Sequence, residues 1–376
     1  MTTDLAIVYS PVGGGHKAAA MAIAEGARAR GARAEVISLF DIAPRVVGDV
    51  YLQAHLTGQN AIPALYGAAY AAANHRGGAF EPLRHSIDRM AFGALVQRID
   101  ALAPRAVIAT HHLPLVVLGR ARRRGRLAMP LIGMVTDYTA HACWAESGVD
   151  GFAVACRQAA HELVLHGIDR RRIAITGIPV RPAFDRIDDV RDPVRSEALR
   201  VLVTSGGFGV GPLRRIVRSF AGMDGIHLTI VCGAREHAYT SISCDVRRLG
   251  LNAQVLGFEH DMPARMADAH VVVGKAGGLT VSETLAAGRP MIVVNAIPGN
   301  EQINEAYVVE GGAGVHAAPR QAGARTLELF QRGVIASMGI NARKLGRPGA
   351  AERIAVLSEA TANLFRTHGT SSHTVV

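Results

Sequence analysis

Residues 5–16 read Leu-Ala-Ile-Val-Tyr-Ser-Pro-Val-Gly-Gly-Gly-His, and residues 201–209 read Val-Leu-Val-Thr-Ser-Gly-Gly-Phe-Gly. In each, a short apolar run gives way to a glycine-rich turn and then to a helical pattern. That is how a βαβ unit opens, with glycine supplying the backbone freedom of the tight strand-to-helix turn. Neither turn is a strict G-x-G-x-x-G, so each alone is a weak motif. Occurring once in each half of the chain, the pair predicts two Rossmann-like domains.

The rest of the chain agrees. Runs rich in Val and Ile at 5–10, 34–39, 106–110, 131–135, 151–155 and 173–176 alternate with helical stretches, and so do runs at 202–204, 226–231, 253–256, 270–273 and 291–295. Such alternation predicts parallel sheets flanked by helices. Between the two sets, RPAFDRIDDVRDPVRSEALR (181–200) is charged, twice interrupted by proline and without apolar periodicity, which marks a linker. The expected organisation is α/β, with two doubly wound domains facing a cleft. They are an N-terminal domain over 1–182, a linker over 183–199, a second domain over 200–347, and a helix and tail over 348–376. Residues 46–74 break the pattern with an apolar, Ala- and Tyr-rich run (AIPALYGAAYAAAN) that reads as inserted helices.

Composition narrows the function classes. A chain of 376 residues suits two domains, and 49% hydrophobic with 19% charged residues is globular. No apolar run is long enough to span a bilayer. The start, MTTDLAIVYS, has no basic leader and reads as a first strand. Cys143, Cys156, Cys232 and Cys244 form no C-x-x-C pair, which favours a reducing compartment, the cytoplasm. The net charge of +10 is uneven: residues 1–182 carry 20 basic against 13 acidic groups, residues 183–376 carry 21 against 18. A GC-rich genome explains so much arginine without any function. The functional reading is an anionic partner, and with aromatics at 5% an acidic membrane surface fits better than nucleic acid.

Four constellations could carry chemistry. In Val272–Glu283 a strand ends, Gly277 and Gly278 allow close approach, and a helix begins with outward N–H groups suited to a diphosphate. Glu283 could there accept the hydroxyls of a ribose. Equally, Thr280-x-x-Glu283 fits a capping box, and spacing does not separate the two. In Gly13-Gly14-Gly15-His16-Lys17 an imidazole stands at a helix N-terminus, where the dipole disfavours its charged form and suits it to act as a base. A turn with a capping histidine is the plainer alternative. Asn300, Glu301, Gln302 and Asn304 follow a strand end and suit sugar hydroxyls, or else a solvated loop. Asp137, in Thr136-Asp137-Tyr138, could orient a base or contact an acceptor, or serve only the turn. There is no D-x-D and no G-x-x-x-x-G-K-[ST], so a diphosphate would be held by helix N-termini and Lys275 without an obligatory metal or other cofactor.

These residues resemble a family. SPVGGGHKAAA (10–20), VTDYTAHACW (135–144), TGIPVRPAF (176–184) and VGKAGGLTVSETLAAGRPMIVVNAIPGNEQINEA (273–306) are similar, in this order, to blocks of the GT-B glycosyltransferases. Within these, the match is to the monogalactosyldiacylglycerol synthase and processive diacylglycerol glucosyltransferase group, related to the lipid I N-acetylglucosaminyltransferase. The resemblance implies inverting transfer of a hexose from a UDP-sugar to a lipid hydroxyl, diacylglycerol or glycosyl-diacylglycerol, at the inner face of the cell membrane.

By position, the resemblance makes His16 the base, puts Gly14 and Gly15 of its turn against the UDP-sugar, and leaves Asp137 as the other catalytic residue. It assigns Gly277, Gly278, Leu279 and Thr280 to the diphosphate, Glu283 to the ribose, and Glu301, Gln302 and Asn304 to the donor sugar. Ser205, Gly206, Gly207 and Phe208 form the second domain's glycine turn, and Phe258 lies where uracil sits. Two departures stand out: Ala276 replaces a frequent proline, and the 46–74 insertion carries less lysine and tryptophan than is usual. For membrane and acceptor contact the expected residues are Leu65, Tyr66 and Tyr70 in that insertion and Arg122, Arg123 and Arg124 in the basic run. Alternatives are N-acetylglucosaminyl transfer to a polyprenyl-linked acceptor, transfer to a secondary metabolite, a UDP-sugar 2-epimerase of the same fold, and a non-catalytic binding protein.

Overall fold

β1 (Leu5–Tyr9) is apolar and buried along its whole length, as a strand covered on both faces must be. It lies inside a six-stranded parallel sheet with β2 (Ala34–Ser38), β3 (Ala106–Ala109), β4 (Leu131–Met134), β5 (Gly151–Val154) and β6 (Ile173–Ile175), in the order β2-β1-β3-β4-β5-β6. A second parallel sheet holds β7 (Leu199–Thr204), β8 (Ile226–Val231), β9 (Ala253–Leu256), β10 (Val271–Gly274), β11 (Met291–Val294) and β12 (Gly314–Ala317), in the order β12-β11-β10-β7-β8-β9. The computed structural model describes residues 3–44, 81–187, 189–190, 198–207, 211–294 and 296–369, with residues 81–91 and 368–369 described by backbone only. They divide into two compact units, one of Met1–Val12, His16–Pro182 and Gly349–Val376, the other of Gly13–Gly15 and Ala183–Pro348.

Each sheet is doubly wound, and each reverses its winding direction at one place. In the first sheet that place is between β1 and β3, in the second between β7 and β10. Loops leaving the carboxyl ends of strands on either side of such a reversal diverge and open a crevice where ligands bind. The glycine turns follow β1 and β7, at those two places. Their leading glycines, Gly13 at φ +83° and Gly206 at φ +74°, adopt left-handed backbone that a side chain would strain.

The core of the second unit shows why its strands form. Val201, Val203, Val271, Val273, Ile292 and Val294 pack beneath Leu213, Ile216, Phe220 and Ile242, all buried. Each such side chain contributes roughly 1.5–3 kcal/mol on burial, and β-branching favours the extended backbone. Eleven of the twelve described strands lie where periodicity places them. The twelfth, β12, escapes because it is a half-exposed edge strand of four residues that includes Gly314 and His316.

The segment that reads as a linker packs, in its described part, against the second unit. Arg289, fully buried, donates to the carbonyls of Met266, Ala267 and Asp189 and to Asp189 Oδ1. Arg343 donates to the carbonyls of Ala286 and Ile187, and Phe184 is fully buried. The last helix, Ala350–Gly369, follows the second sheet in sequence but packs on the first unit, against β3. Ala350, Ala351, Ile354 and Ala355 are buried there, and Arg353 donates twice to the Thr176 carbonyl, at 3.1 and 2.7 Å. Arg30 pairs with Glu352 and Glu359 at the surface, where ion pairs add little; burial of the alanine and isoleucine face stabilises the docking more.

Candidate functional site

His16 stands in the first turn of the helix Gly14–Ala29, just past the carboxyl end of β1. Its Nδ1 lies 2.8 Å from the Thr110 carbonyl oxygen, at the end of β3, and 3.0 Å from Thr136 Oγ1, past the end of β4. A carbonyl oxygen only accepts, so Nδ1 carries the proton and the basic lone pair of the neutral ring is on Nε2. Thr110 closes the contact from the other side, its hydroxyl donating to the His16 carbonyl at 3.0 Å. An imidazole held by neutral acceptors at Nδ1, with Nε2 as its basic atom, is built to take a proton.

Beside it stands the buried ring of His111, perpendicular to His16 at 89° with centroids 4.5 Å apart. His111 caps the helix His112–Arg123, its Nδ1 accepting from Leu113 N–H at 3.1 Å. Neither Thr110 nor His111 stands out in the sequence. The signal that could have found them is Thr-His-His directly after a strand end. Asp137 is half-buried in the loop after β4. That loop is pinned by Glu162, which accepts from Thr139 Oγ1 at 2.8 Å and from Ala140 N–H at 2.6 Å. Glu162 also carries no sequence signal, since it lies on a separate helix, Arg157–Leu165.

Arg122, Arg123 and Arg124 are placed elsewhere. They end the helix His112–Arg123 at the amino edge of the sheet, the opposite edge from His16. Arg122 pairs with Asp150 at 2.8 Å, donates to the Met129 carbonyl and lies over the Phe365 ring at 5.1 Å. Arg123 pairs with Glu146, and Arg124 is exposed at the helix end. Leu65, Tyr66, Tyr70 and Phe208 lie outside the described residues.

In the second unit the helix Gly278–Ala286 starts with Gly277 as its cap and no capping side chain. Its first helical bond runs from Val281 N–H to the Gly277 carbonyl, so the N–H groups of Gly278, Leu279 and Thr280 have no acceptor within the helix. This start decides the capping question. Thr280 is inside the first turn and is not the cap, so Glu283 has no capping box to close. Leu279, Thr280 and Glu283 share the half-exposed face while Val281, Ser282 and Leu285 are buried. Ser205, after β7, is buried, and among the described residues its hydroxyl has no hydrogen-bond partner. Thr204 Oγ1 accepts from Gly206 N–H at 3.2 Å and steadies that turn.

The loop after β11 meets the loop after β10. Lys275 Nζ pairs with Glu301 at 3.1 Å, and the other Glu301 oxygen accepts from Ile297 N–H at 2.9 Å. Asn304 is fully buried and donates to the Ala276 carbonyl at 2.9 Å, so it braces the turn that precedes Gly277. Lys275 therefore meets Glu301, not open space beside the helix terminus. Gln302 is exposed, and Phe258, past β9, is exposed with its ring 4.9 Å from His260. Among the described residues, no helix is long and apolar enough to cross a membrane, and no three His, Cys, Asp or Glu groups are placed to hold a metal ion.

Comparison with known proteins divides the chain in the same way. Residues 16–180 match the family described as monogalactosyldiacylglycerol (MGDG) synthase, and residues 200–329 match the glycosyltransferase family 28 C-terminal domain. A probable monogalactosyldiacylglycerol synthase 2 of Oryza sativa subsp. japonica is 28% identical over 271 residues, covering 66% of this chain and 56% of that protein. The processive diacylglycerol beta-glucosyltransferase of Bacillus subtilis is 26% identical over 227 residues, 59% of each chain. The matched region thus spans little more than half the length of these relatives. Among solved structures, MurG of Acinetobacter baumannii superposes with a TM-score of 0.64 at 17% identity, over 95% of this chain and 99% of that one, a likeness of fold.

Proposed function

We propose, from the match of residues 16–180 to the monogalactosyldiacylglycerol synthase family and of residues 200–329 to the glycosyltransferase family 28 C-terminal domain, that the chain transfers a hexose from a UDP-sugar to the hydroxyl of diacylglycerol or a glycosyl-diacylglycerol, with inversion. One observation carries the donor half of the reading. The helix at Gly278 has three first-turn N–H groups without helical acceptors and Glu283 on its half-exposed face, outside any capping box at Thr280. The N–H groups suit the diphosphate and the carboxylate suits the ribose.

In the proposed reaction His16 Nε2 takes the proton of the acceptor hydroxyl as its oxygen attacks the anomeric carbon. The bond from that carbon to the diphosphate oxygen breaks on the opposite side, and UDP leaves with the electron pair. Charge developing on the leaving diphosphate falls on fixed N–H dipoles, which need no reorganisation and no obligatory metal. The Lys275–Glu301 pair and Asn304 shape the loop at the donor sugar.

A lipid acceptor does not leave the bilayer cheaply, so the enzyme must come to it. The basic balance of residues 1–182 and the apolar segment 46–74 support peripheral attachment to the inner, anionic face of the cell membrane. The test is to incubate the protein with radiolabelled UDP-hexoses and vesicles with or without diacylglycerol, and to separate lipids by chromatography. A labelled glycolipid that forms only with diacylglycerol is the expected product. UDP release with no lipid acceptor would favour a 2-epimerase instead.

A further inference from the structure

We propose that the amino edge of the first sheet is a docking surface for an acidic protein. All six strands of that sheet run parallel, so the segments that lead into them gather on one edge, and the glycine turn with His16 lies on the other. Arg105 leads into β3, Arg124 and Arg126 into β4, and Arg170 and Arg172 into β6, and all five are exposed. Neighbouring strands lie about 4.8 Å apart, so the starts of β3 to β6 span roughly 14 Å.

Neighbours do not cancel this charge. Asp4 bonds Arg33, Glu146 bonds Arg123, Asp150 bonds Arg122 and Asp169 bonds Arg171, so each of these carboxylates is committed to another arginine. Among the described residues of this edge, that leaves Asp100, near the end of the helix Glu81–Leu102, to face the five. Three of the five are also held by groups that carry no charge. Arg105 donates to Asn363 Oδ1 at 3.2 Å, Arg170 to the Ile173 carbonyl at 2.8 Å and Arg172 to the Val149 carbonyl at 3.4 Å. A guanidinium ordered by a neutral acceptor keeps its charge and loses less freedom when an anion binds.

Apolar side chains stand among the arginines. The end of the last helix reaches this edge, where Asn363 meets Arg105 and the Phe365 ring lies under Arg122. Leu364, between those two residues, is 60% exposed, and Leu165, five residues before Arg170, is 70% exposed. Apolar groups set among arginines match the make-up of a protein interface. A second copy of the chain is not the partner, because each copy carries +10. A nucleic acid backbone has nothing apolar to cover the two leucines. A bilayer has the right charge, but β3 alone is four residues long, about 13 Å of strand, and lies between this edge and the one that holds His16. Docking a bilayer here would keep a lipid acceptor away from His16. That exclusion rests on the proposed lipid acceptor, whereas the charge and the exposed leucines do not.

The probes are labelled poly-L-glutamate, a labelled helical peptide of glutamate and leucine with one apolar face, and phosphatidylcholine vesicles with and without phosphatidylglycerol. The wild-type protein should bind the glutamate–leucine peptide more tightly than poly-L-glutamate, and both less tightly as salt rises. Arg126→Glu with Arg172→Glu should weaken both peptides by about 10-fold or more, since two attractions become two repulsions. Arg215→Glu with Arg320→Glu makes the same change of charge on exposed arginines of the second unit and should weaken them far less. Leu165→Ser with Leu364→Ser should erase the preference for the apolar-faced peptide and leave poly-L-glutamate binding as it was. On phosphatidylglycerol vesicles the two arginine pairs should float alike. Equal weakening of peptide binding by the two arginine pairs would overturn the proposal, as would a wild-type protein with no preference between the peptides. Flotation lost in the Arg126 and Arg172 pair alone would make this edge a bilayer surface instead. If the wild-type protein transfers no hexose to lipid, the functional reading fails, and peptide binding still decides the docking surface.

Discussion

Removing one carboxylate, in Glu283→Ala, separates ligand binding from folding. The helix begins at Gly278 under the Gly277 cap, so Glu283 lies in its second turn and supports no cap. It is half-exposed and alanine is the best helix former, so with no cap bond at stake the loss of folding stability should stay below about 1 kcal/mol, the typical cost of a lost cap. Binding is another matter. A hydrogen bond to a charged group is worth about 1.5–3 kcal/mol, which converts to a loss of about 10- to 150-fold in affinity for UDP. The assay is calorimetric titration of UDP into the folded variant, paired with a denaturant melt. Glu283→Gln should recover only part of the loss, since it keeps the shape but not the charge. UDP affinity unchanged in Glu283→Ala would refute the ribose role, and stability lowered by about 1 kcal/mol or more would return Glu283 to a structural part.

Further outcomes follow from the same geometry. His16→Ala should lower kcat by roughly 10²- to 10⁴-fold, the range for a positioned base, with UDP affinity near that of the wild type; full retention of kcat would leave Asp137 as the base. Transfer should persist in excess EDTA, and loss of activity restored by Mg²⁺ or Mn²⁺ would contradict leaving-group stabilisation by N–H dipoles alone. Flotation with vesicles should need anionic lipid, weaken with salt and fall when Leu65, Tyr66 and Tyr70 are made polar; equal flotation with neutral vesicles would remove the electrostatic part.

On the helix Glu236–Leu249, hydrogen bonds and charge from Arg214 and Arg218 hold the Asp245 carboxyl well below the usual carboxylate range, with Arg248 also in contact. A folded-state value below the unfolded one of about 3.9 gives stability that is complete above that pH and lost as pH falls through the folded value. The stability gap between wild type and Asp245→Asn should therefore be widest near neutral pH and narrow below about pH 4. A gap that stays constant down to about pH 2 would contradict this.

What could be read from the chain alone was local. The alternation of Val- and Ile-rich runs with helical stretches, and the glycine turns at Gly13 and Gly206, depend on steric and periodic properties that a few neighbouring residues carry by themselves. They sufficed for two doubly wound sheets and for the loops where a site must lie. Partners distant in sequence were beyond that reach. That His16 would meet the carbonyl of Thr110, 94 residues on, follows from β1 and β3 pairing across the reversal of winding. No short-range pattern records that adjacency. The capping box at Thr280 failed as an alternative for a related reason: the motif is a spacing, and the helix began one turn earlier because Gly277 could cap it. That Lys275 would pair with Glu301, 26 residues on, is likewise set only by folding. The last helix follows the second sheet in sequence, yet it packs where its alanine and isoleucine face finds apolar surface, on the first unit. Burial is non-directional and indifferent to sequence distance, so only the folded chain decides which surface a helix covers.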